Sequence, residues 1–357
     1  MAASKGMKGE GFYDRHSSVQ GGTVAAVAAW LEEAAAAMDL PEPPAPLVVT
    51  DHGCSEGQNS IVAVGLVVNS WRKRRPDQPI CAIHTDLAAN NFNKLFANLH
   101  DPQSSNYLQE RGRARPNVFA LAAGGSFYNA LLPPASVHFS LSFNAIVWME
   151  RLPAIAVLDF VMYARGSAEV QRVFRQEAAR QLDQFLRRRA EELAPGGKLL
   201  VLTPGQAPER GCWEGIYDVI NDACLDLVRA GSLSRDVYQR LVFPTYFRSA
   251  EEMAGPANPP ANSGHAAFVL HRVETLDTEV PFVTTLRKTN DVAGFAREYT
   301  GFMRAFSEPV LAGIIAGPDK TSPLVDAVYR RVEERLQAEP ERYLYRNIVT
   351  AALWTRR

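Results

Sequence analysis

The stretch LVVTDHGCSEGQNSI, residues 47–61, decides the fold. A short apolar, β-branched run ends on Asp51, a glycine-bearing turn follows, and a helix begins near Asn59. That is a strand feeding a loop, with Gly53 and Gly57 able to take conformations that side-chained residues resist. Asp51 then stands at the carboxyl end of its strand, the edge where open α/β sheets bind ligands. The turn does not spell GxGxxG, so a pyrophosphate cradle is not expected. An acid beside a glycine turn suits a ligand carrying an ammonium group. An ordinary strand-to-helix turn accounts for this segment alone equally well.

Outward from that segment, strands and helices alternate. Leu47–Asp51, Ile80–Asp86, Val118–Ala122, Val137–Phe143 and Lys198–Thr203 read as strands. Asn59–Arg74, Asn91–Leu99, Ser126–Leu131 and a long segment from Ala168 to Leu193 read as helices. Upstream, Ala-rich Gly22–Met38 is an amphipathic helix halted by PEPPAP. Pro195 and two glycines end the long helix before a buried strand. This alternation predicts a mostly parallel sheet with helices on both faces.

After Gly205 the pattern changes. Cys212–Ala230 and Ser234–Leu241 read as helices, and AGPANPPANSGH (254–265) as an exposed loop. Ala267–Leu276 and Phe282–Leu286 read as β runs, with helices from Asp291 to the end. Residues 206–260, with part of 150–170, are therefore expected to form a mainly helical cap above the carboxyl edge of the sheet. Residues 1–205 and 261–357 supply the core beneath it.

Composition narrows the function. A chain of 357 residues, 46% hydrophobic and 22% charged, sits in the soluble globular range with length for a sizeable core. A formal net charge of -1 argues against a duplex-binding surface, so no nucleic-acid partner is expected. The basic clusters Arg72–Arg75 and Arg187–Arg189 lie among polar residues of predicted helices and read as solvated faces. Four cysteines without a CxxC pair, and seven histidines without an HxxxH set, suggest neither structural zinc nor a disulfide framework. The segment MAASKGMKGEGFYDR lacks the apolar core of a signal peptide, and no uninterrupted apolar span is long enough to cross a bilayer. The expectation is a reduced, cytoplasmic setting and no membrane partner.

Four separate pieces, the opening turn among them, line up. They are FYDRHSSVQ (12–20), DHGCSEGQN (51–59), TDLAANNFNKLF (85–96) and GGSFYNALLPPASVHFSLSFNAIVW (124–148). In this order they resemble the SABATH methyltransferases, whose pattern is SYxxNSxxQ, DLGCSSGPN, NDLPxNDFNxLF and GSFYxxLFPxxSxHxxxSxxxxxW. FLRRRAEELAPGGKLLVL (185–202) is similar to the family's FLxxRxxELxxGGxMVL, and FSEPVL (306–311) to its AxxEPLL. The similarity runs nearly end to end. It implies a Rossmann-like class I methyltransferase sheet, S-adenosylmethionine as methyl donor, and a carboxylate or, in some members, a ring nitrogen as acceptor.

The resemblance also implies roles. Tyr13 and Ser17 match the N-terminal segment that closes over the cosubstrate, where an aromatic face attracts a desolvated sulfonium by up to about 2 kcal/mol. Asp51, Gly53 and Asn59 match the turn that holds the methionyl end. Asp86, with Leu87, matches the acid that bonds the ribose hydroxyls, and Ser126 and Phe127 the residues flanking adenine. Gln20 and Trp148 match the side-chain amide and indole that donate hydrogen bonds to the acceptor carboxylate. Both are uncharged donors, which hold a carboxylate without quenching it in a tight ion pair. A carboxylic acid with a reference pKa near ~4 is already ionised at neutral pH and needs no general base.

Departures from the pattern limit what is carried over. His16, His52, Glu56 and Asn91 stand where the family commonly has Asn, Leu, Ser and Asp. Asn144 and Val147 replace the Tyr and Met of salicylate-type members, so that preference is not transferred. Tyr217 and Tyr246 are expected to line the roof of the acceptor pocket with Asn144 and Val147. Some members have a magnesium site before an IPxY-like motif; here YQRLVFPTY (238–246) offers Gln239, Leu241 and Val242 where Asp, Phe and Asn would be expected. A hard cation prefers oxygen ligands, so no metal is predicted. The resemblance further implies a homodimer.

The sequence thus predicts an S-adenosylmethionine-dependent carboxyl methyltransferase that makes the methyl ester of a small, aromatic acid by in-line displacement. The rival readings are an N-methyltransferase of the same family, a nicotinamide dehydrogenase, disfavoured by the missing GxGxxG, and a non-catalytic ligand-binding homologue.

Overall fold

The computed structural model describes residues 7–9, 11–12, 16, 18–110, 112–316 and 322–357. Tyr13 and Ser17, expected to close over the cosubstrate, lie outside the described residues. Seven strands form the central sheet: β1 Leu47–His52, β2 Ile80–Asp86, β3 Val118–Gly124, β4 Val137–Phe143, β5 Leu193–Pro204, β6 Phe268–Thr278 and β7 Asn347–Arg356. Their spatial order is β6-β7-β5-β4-β1-β2-β3, with β7 antiparallel to both neighbours and β1 to β5 pairing in parallel. The order reverses between β1 and β4, which is the topological switch point where ligands of open α/β sheets bind. The predicted α/β class and sheet are found.

The helices are α1 Ser18–Ala26, α2 Ala28–Ala36, α3 Gln58–Arg74, α4 Phe92–Leu99, α5 Ala168–Glu192, α6 Ile216–Arg229, α7 Arg235–Gln239, α8 Ala250–Ala254, α9 Pro281–Thr289, α10 Val292–Ile315 and α11 Pro323–Ala338. The period-2 pleat divides the core between the two faces of the sheet. Leu200 and Leu202 of β5 pack with Trp30 and Leu31 of α2 and with Val64, Val67 and Trp71 of α3. Leu199 and Val201, one residue out of phase, pack with Leu182, Phe185 and Leu186 of α5. A third cluster joins residues around Trp148 and Tyr163 to α6, α9, α10 and α11.

Four expectations of secondary structure are corrected. Ser126–Leu131 is a turn and not a helix: the amides of Leu131 and Leu132 donate to the Glu192 carboxylate instead of to carbonyls one turn back. Phe282–Leu286 belongs to helix α9, where Pro281 takes the first turn and Phe282, Val283 and Leu286 share one buried face. The C-terminal end is strand β7 and not helix; it is covered on both faces, so its sequence lacks the alternation that marks a half-buried strand. The helix read over Gly22–Met38 is two helices, α1 and α2, which meet at Val27 (φ -117°, ψ 12°). Among the described residues no helix is long and apolar enough to cross a membrane.

Candidate active site

The glycine turn after β1 is held by its neighbour strand. The amides of Gly53 and Cys54 donate to Thr85 O at 2.8 and 3.0 Å, and the Ser55 amide donates to Asp86 Oδ2 at 2.7 Å. Gly53 has φ +94°, and a Cβ there would lie 2.3 Å from the Cβ of Ala145. The close approach it permits is thus to the loop after β4, and it sets the Asp51 turn against the segment Asn144–Trp148. Asn59, at the start of α3, places its Oδ1 where a Cβ on Gly21 would be 3.2 Å away, so this turn also touches α1 beside Gln20.

Asp51 is buried, and its Oδ1 has no hydrogen-bond partner among the described residues. Burial raises its pKa to about 7; a hydrogen bond from Ser60 opposes the shift, and the charge of Asp86 adds to it. Behind it, Ser60 Oγ lies 2.7 Å from His84 Nδ1, and His84 Nε2 lies 2.7 Å from the Tyr107 hydroxyl. Burial lowers the His84 pKa to about 4, so this chain is neutral at physiological pH. Asp86 is half-buried at the end of β2; burial raises its pKa, and the amides of Ser55 and Leu87, each 2.7 Å away, oppose that. Asp86 and Leu87 border a cavity with Met7, Gly9, Ser55 and Asn90.

Met7 is shared with a second cavity of about 560 Å³, counting its mouth. It brings together Gln20, Asn144, Val147, Trp148 and Tyr217, five of the six side chains expected to meet the acceptor. The sixth, Tyr246, does not line it. Residues 147–149 pair with 244–246 as a short antiparallel bridge, so Thr245 and Phe247 face the cavity while Tyr246 faces the opposite side. There the Tyr246 hydroxyl donates to Glu252 at 2.6 Å and its ring stacks on Tyr163. Tyr246, expected in the roof, is thus one residue out of phase with the two that line the cavity.

The cavity wall divides by chemistry. Trp148, Tyr217, Phe247, Phe302, Phe306 and Tyr345 supply rings. The polar groups sit together: Asn144 Nδ2 donates to Thr23 Oγ1 at 3.1 Å, and Thr23 Oγ1 donates to Gln20 O at 2.6 Å. Gln20 Oε1 is buried without a partner among the described residues. At the far end the Tyr345 hydroxyl donates to Asn347 Oδ1 at 2.7 Å and lies 3.0 Å from Cys212 Sγ, so these groups satisfy one another. None of the described lining residues is charged. Thr23, Thr245, Phe247, Phe302 and Tyr345 were missed in the sequence; they come from four separate segments, and only the fold assembles them.

Ser126 and Phe127 are half-buried in the turn after β3. Ser126 Oγ donates to Glu150 at 3.2 Å, and the Phe127 ring meets Phe185 edge-on at 6.0 Å. Among the described residues no group of three or more His, Cys, Asp or Glu is placed to hold a metal ion.

Known proteins share the sequence pattern and the fold. The sequence model of a family described as SAM dependent carboxyl methyltransferase matches residues 1–354. Gibberellic acid methyltransferase 2 of Arabidopsis thaliana is 24% identical over 321 residues, covering 83% of this chain and 79% of that protein. A benzoic acid/salicylic acid carboxyl methyltransferase 3 of Petunia hybrida is 26% identical over 304 residues, covering 82% and 80%. The solved structure of loganic acid methyltransferase with SAH shares the fold, with a TM-score of 0.80 at 20% identity over 98% of each chain.

Two predictions follow from the turn. Gly53→Ala is expected to lower the melting temperature more than Gly196→Ala. Both positions have positive φ, but only at Gly53 does the new methyl meet an atom; equal losses in a thermal melt would remove the steric argument. Asp51→Asn is expected to stabilise the ligand-free protein, increasingly from pH 4 to pH 7. An acid whose folded pKa is raised loses stability as pH rises from its unfolded to its folded value, at about 1.4 kcal/mol per unit. A wild-type-minus-variant difference that stays flat across that window would refute it.

Proposed function

The chain belongs to the SAM-dependent carboxyl methyltransferase family, the SABATH enzymes, and from that premise we propose that it makes the methyl ester of a small, aromatic carboxylic acid. The carrying observation is the ring-walled cavity in which the described residues around Gln20 and Trp148 are all neutral. The relatives' names range from gibberellic to benzoic and salicylic acid, so the aromatic choice rests on the walls and not on kinship.

The cosubstrate's functional groups fit the residues present. Asp51 has a buried carboxylate oxygen without a partner among the described residues, suited to an ammonium, and Gly53 keeps that turn free of a side chain. Asp86, already oriented by the Ser55 and Leu87 amides, keeps lone pairs for the ribose hydroxyls. Ser126 and Phe127 are assigned to the adenine, and Asn59 supports the methionyl turn. When bound, S-adenosylmethionine supplies a methyl carbon activated by its sulfonium.

The chain's own work is then alignment and exclusion of water. Gln20 and Trp148 orient the carboxylate as neutral donors, so its charge stays available for attack. Asn144, tied through Thr23 to the backbone of Gln20, fixes the loop that carries Val147 and Trp148 relative to α1. Tyr217 and the phenylalanine rings hold the rest of the acid. Alignment of this kind is worth roughly 7–11 kcal/mol of barrier. No proton has to be moved, in keeping with an acceptor ionised from the start. In this reading residues 206–260, with part of 150–170, form the roof over a core of 1–205 and 261–357, and the enzyme works as a cytoplasmic homodimer.

A panel of aromatic and aliphatic acids offered with labelled methyl donor is expected to yield a product whose label is released by mild alkali. Alkali-stable label would indicate N-methylation, and absence of any transfer a ligand-binding homologue. Two substitutions should separate the halves of the site. Asp86→Ala is expected to weaken S-adenosylhomocysteine binding in calorimetry by roughly ten- to a hundredfold. Gln20→Ala and Trp148→Ala are expected to leave that affinity in place and raise the acceptor KM or lower kcat by a similar factor. The opposite pattern would reverse the assignments.

A further inference from the structure

Behind the turn assigned to adenine lies a buried ion pair that the reading above does not use. Arg189 and Glu192, on the last turn of α5, are 0% and 1% exposed, with Nη2 3.0 Å from Oε1. Arg189 also donates from Nη1 to Phe127 O at 2.7 Å and from Nη2 to Asn129 O at 3.0 Å. Glu192 Oε1 accepts the amides of Leu131 and Leu132 at 2.6 and 3.2 Å. Two carbonyls and two amides of a single turn are thus held by two fixed charges. The same helix end anchors the next residues, with the Ala135 and Ser136 amides donating to the carbonyls of Glu191 and Glu192.

Stability alone does not call for this pair, since an apolar pair of similar volume commonly holds a core as well or better. The charges add direction. The planar fork of Arg189 fixes two carbonyls of the turn relative to each other, which an ammonium on a flexible stem would not do. The guanidinium also lies over the Phe185 ring, 5.1 Å from its centroid, and that ring meets Phe127 edge-on. The path from charge to Phe127 is therefore both backbone and ring.

We propose that Arg189 and Glu192 are positioning residues that set the base preference of the cosubstrate site, by holding the turn 127–132 so that Ser126 and Phe127 present a site shaped for adenine. This rests on the assignment of that turn to the adenine. Neither residue touches the reacting atoms.

The test compares S-adenosylhomocysteine with S-inosylhomocysteine, which carries hypoxanthine, by calorimetry on the full chain. Wild-type protein is expected to prefer the adenine ligand. Arg189→Lys keeps the charge and loses the fork, and its preference is expected to fall by roughly tenfold or more. Should a single change unfold the chain, Arg189→Met with Glu192→Leu removes both charges together and leaves neither one uncompensated. A variant with a native melting transition and collapsed base preference supports the proposal, because a merely structural role would weaken both ligands alike. Folded variants that keep the preference, or a wild type that has none, overturn it. Wild-type protein that binds neither ligand instead overturns the cosubstrate reading itself.

Discussion

The arrangement of the site depends on how closely the turn after β1 approaches the loop after β4. Gly53 makes that contact with Ala145, and no side chain fits between them. Because β1 and β4 flank the switch point of the sheet, this one approach places the buried acid Asp51 next to the segment that ends in Trp148. The Asp51 turn and the ring-walled cavity thereby come to share a wall. Were the two loops held apart by a methyl group, each half would persist and the distance between them would change.

Charge is distributed unevenly across that wall. On the side of β1 and β2, Asp51 and Asp86 are both pushed upward in pKa by burial, the ordinary consequence of taking carboxylates out of water. On the side of α1 and the β4 loop, the described lining is neutral. A cation there would hold an acid more tightly and lower its reactivity; neutral donors would orient one at less cost to its nucleophilicity. Of the buried charges nearby, Arg189 and Glu192 neutralise each other behind the turn after β3, Arg248 donates to Ile146 O, and none of the three lines the cavity.

Much of this was legible in the sequence because it is local. The strand–turn–helix at 47–61 and the acid closing β2 each follow from side-chain periodicity and turn chemistry within a dozen residues, whereas Pro195 and the glycines expected to end α5 lie inside β5, the helix having stopped at Glu192. Elements whose identity depends on burial were less legible. β7 lacks alternation because both its faces are covered, and FVTTL fits a strand as well as a helix until Pro281 and the packing of Phe282 and Leu286 decide. Ser126–Leu131 was read as a helix because nothing in it shows that Glu192, sixty residues on, takes its amides.

The sequence by itself determined the fold class, the family and the residues of the Asp51 and Asp86 turns, since those are set by contiguous patterns. Tertiary structure alone decided the ring-walled cavity. Its walls come from α1, the β4 loop, α6, the 243–247 segment, α10 and the start of β7, and which face a residue presents is fixed by strand parity and packing. Tyr246 against Thr245 and Phe247 is the plainest case: one step along an extended chain reverses a side chain's direction, and only the pairing with 147–149 settles which way each one points.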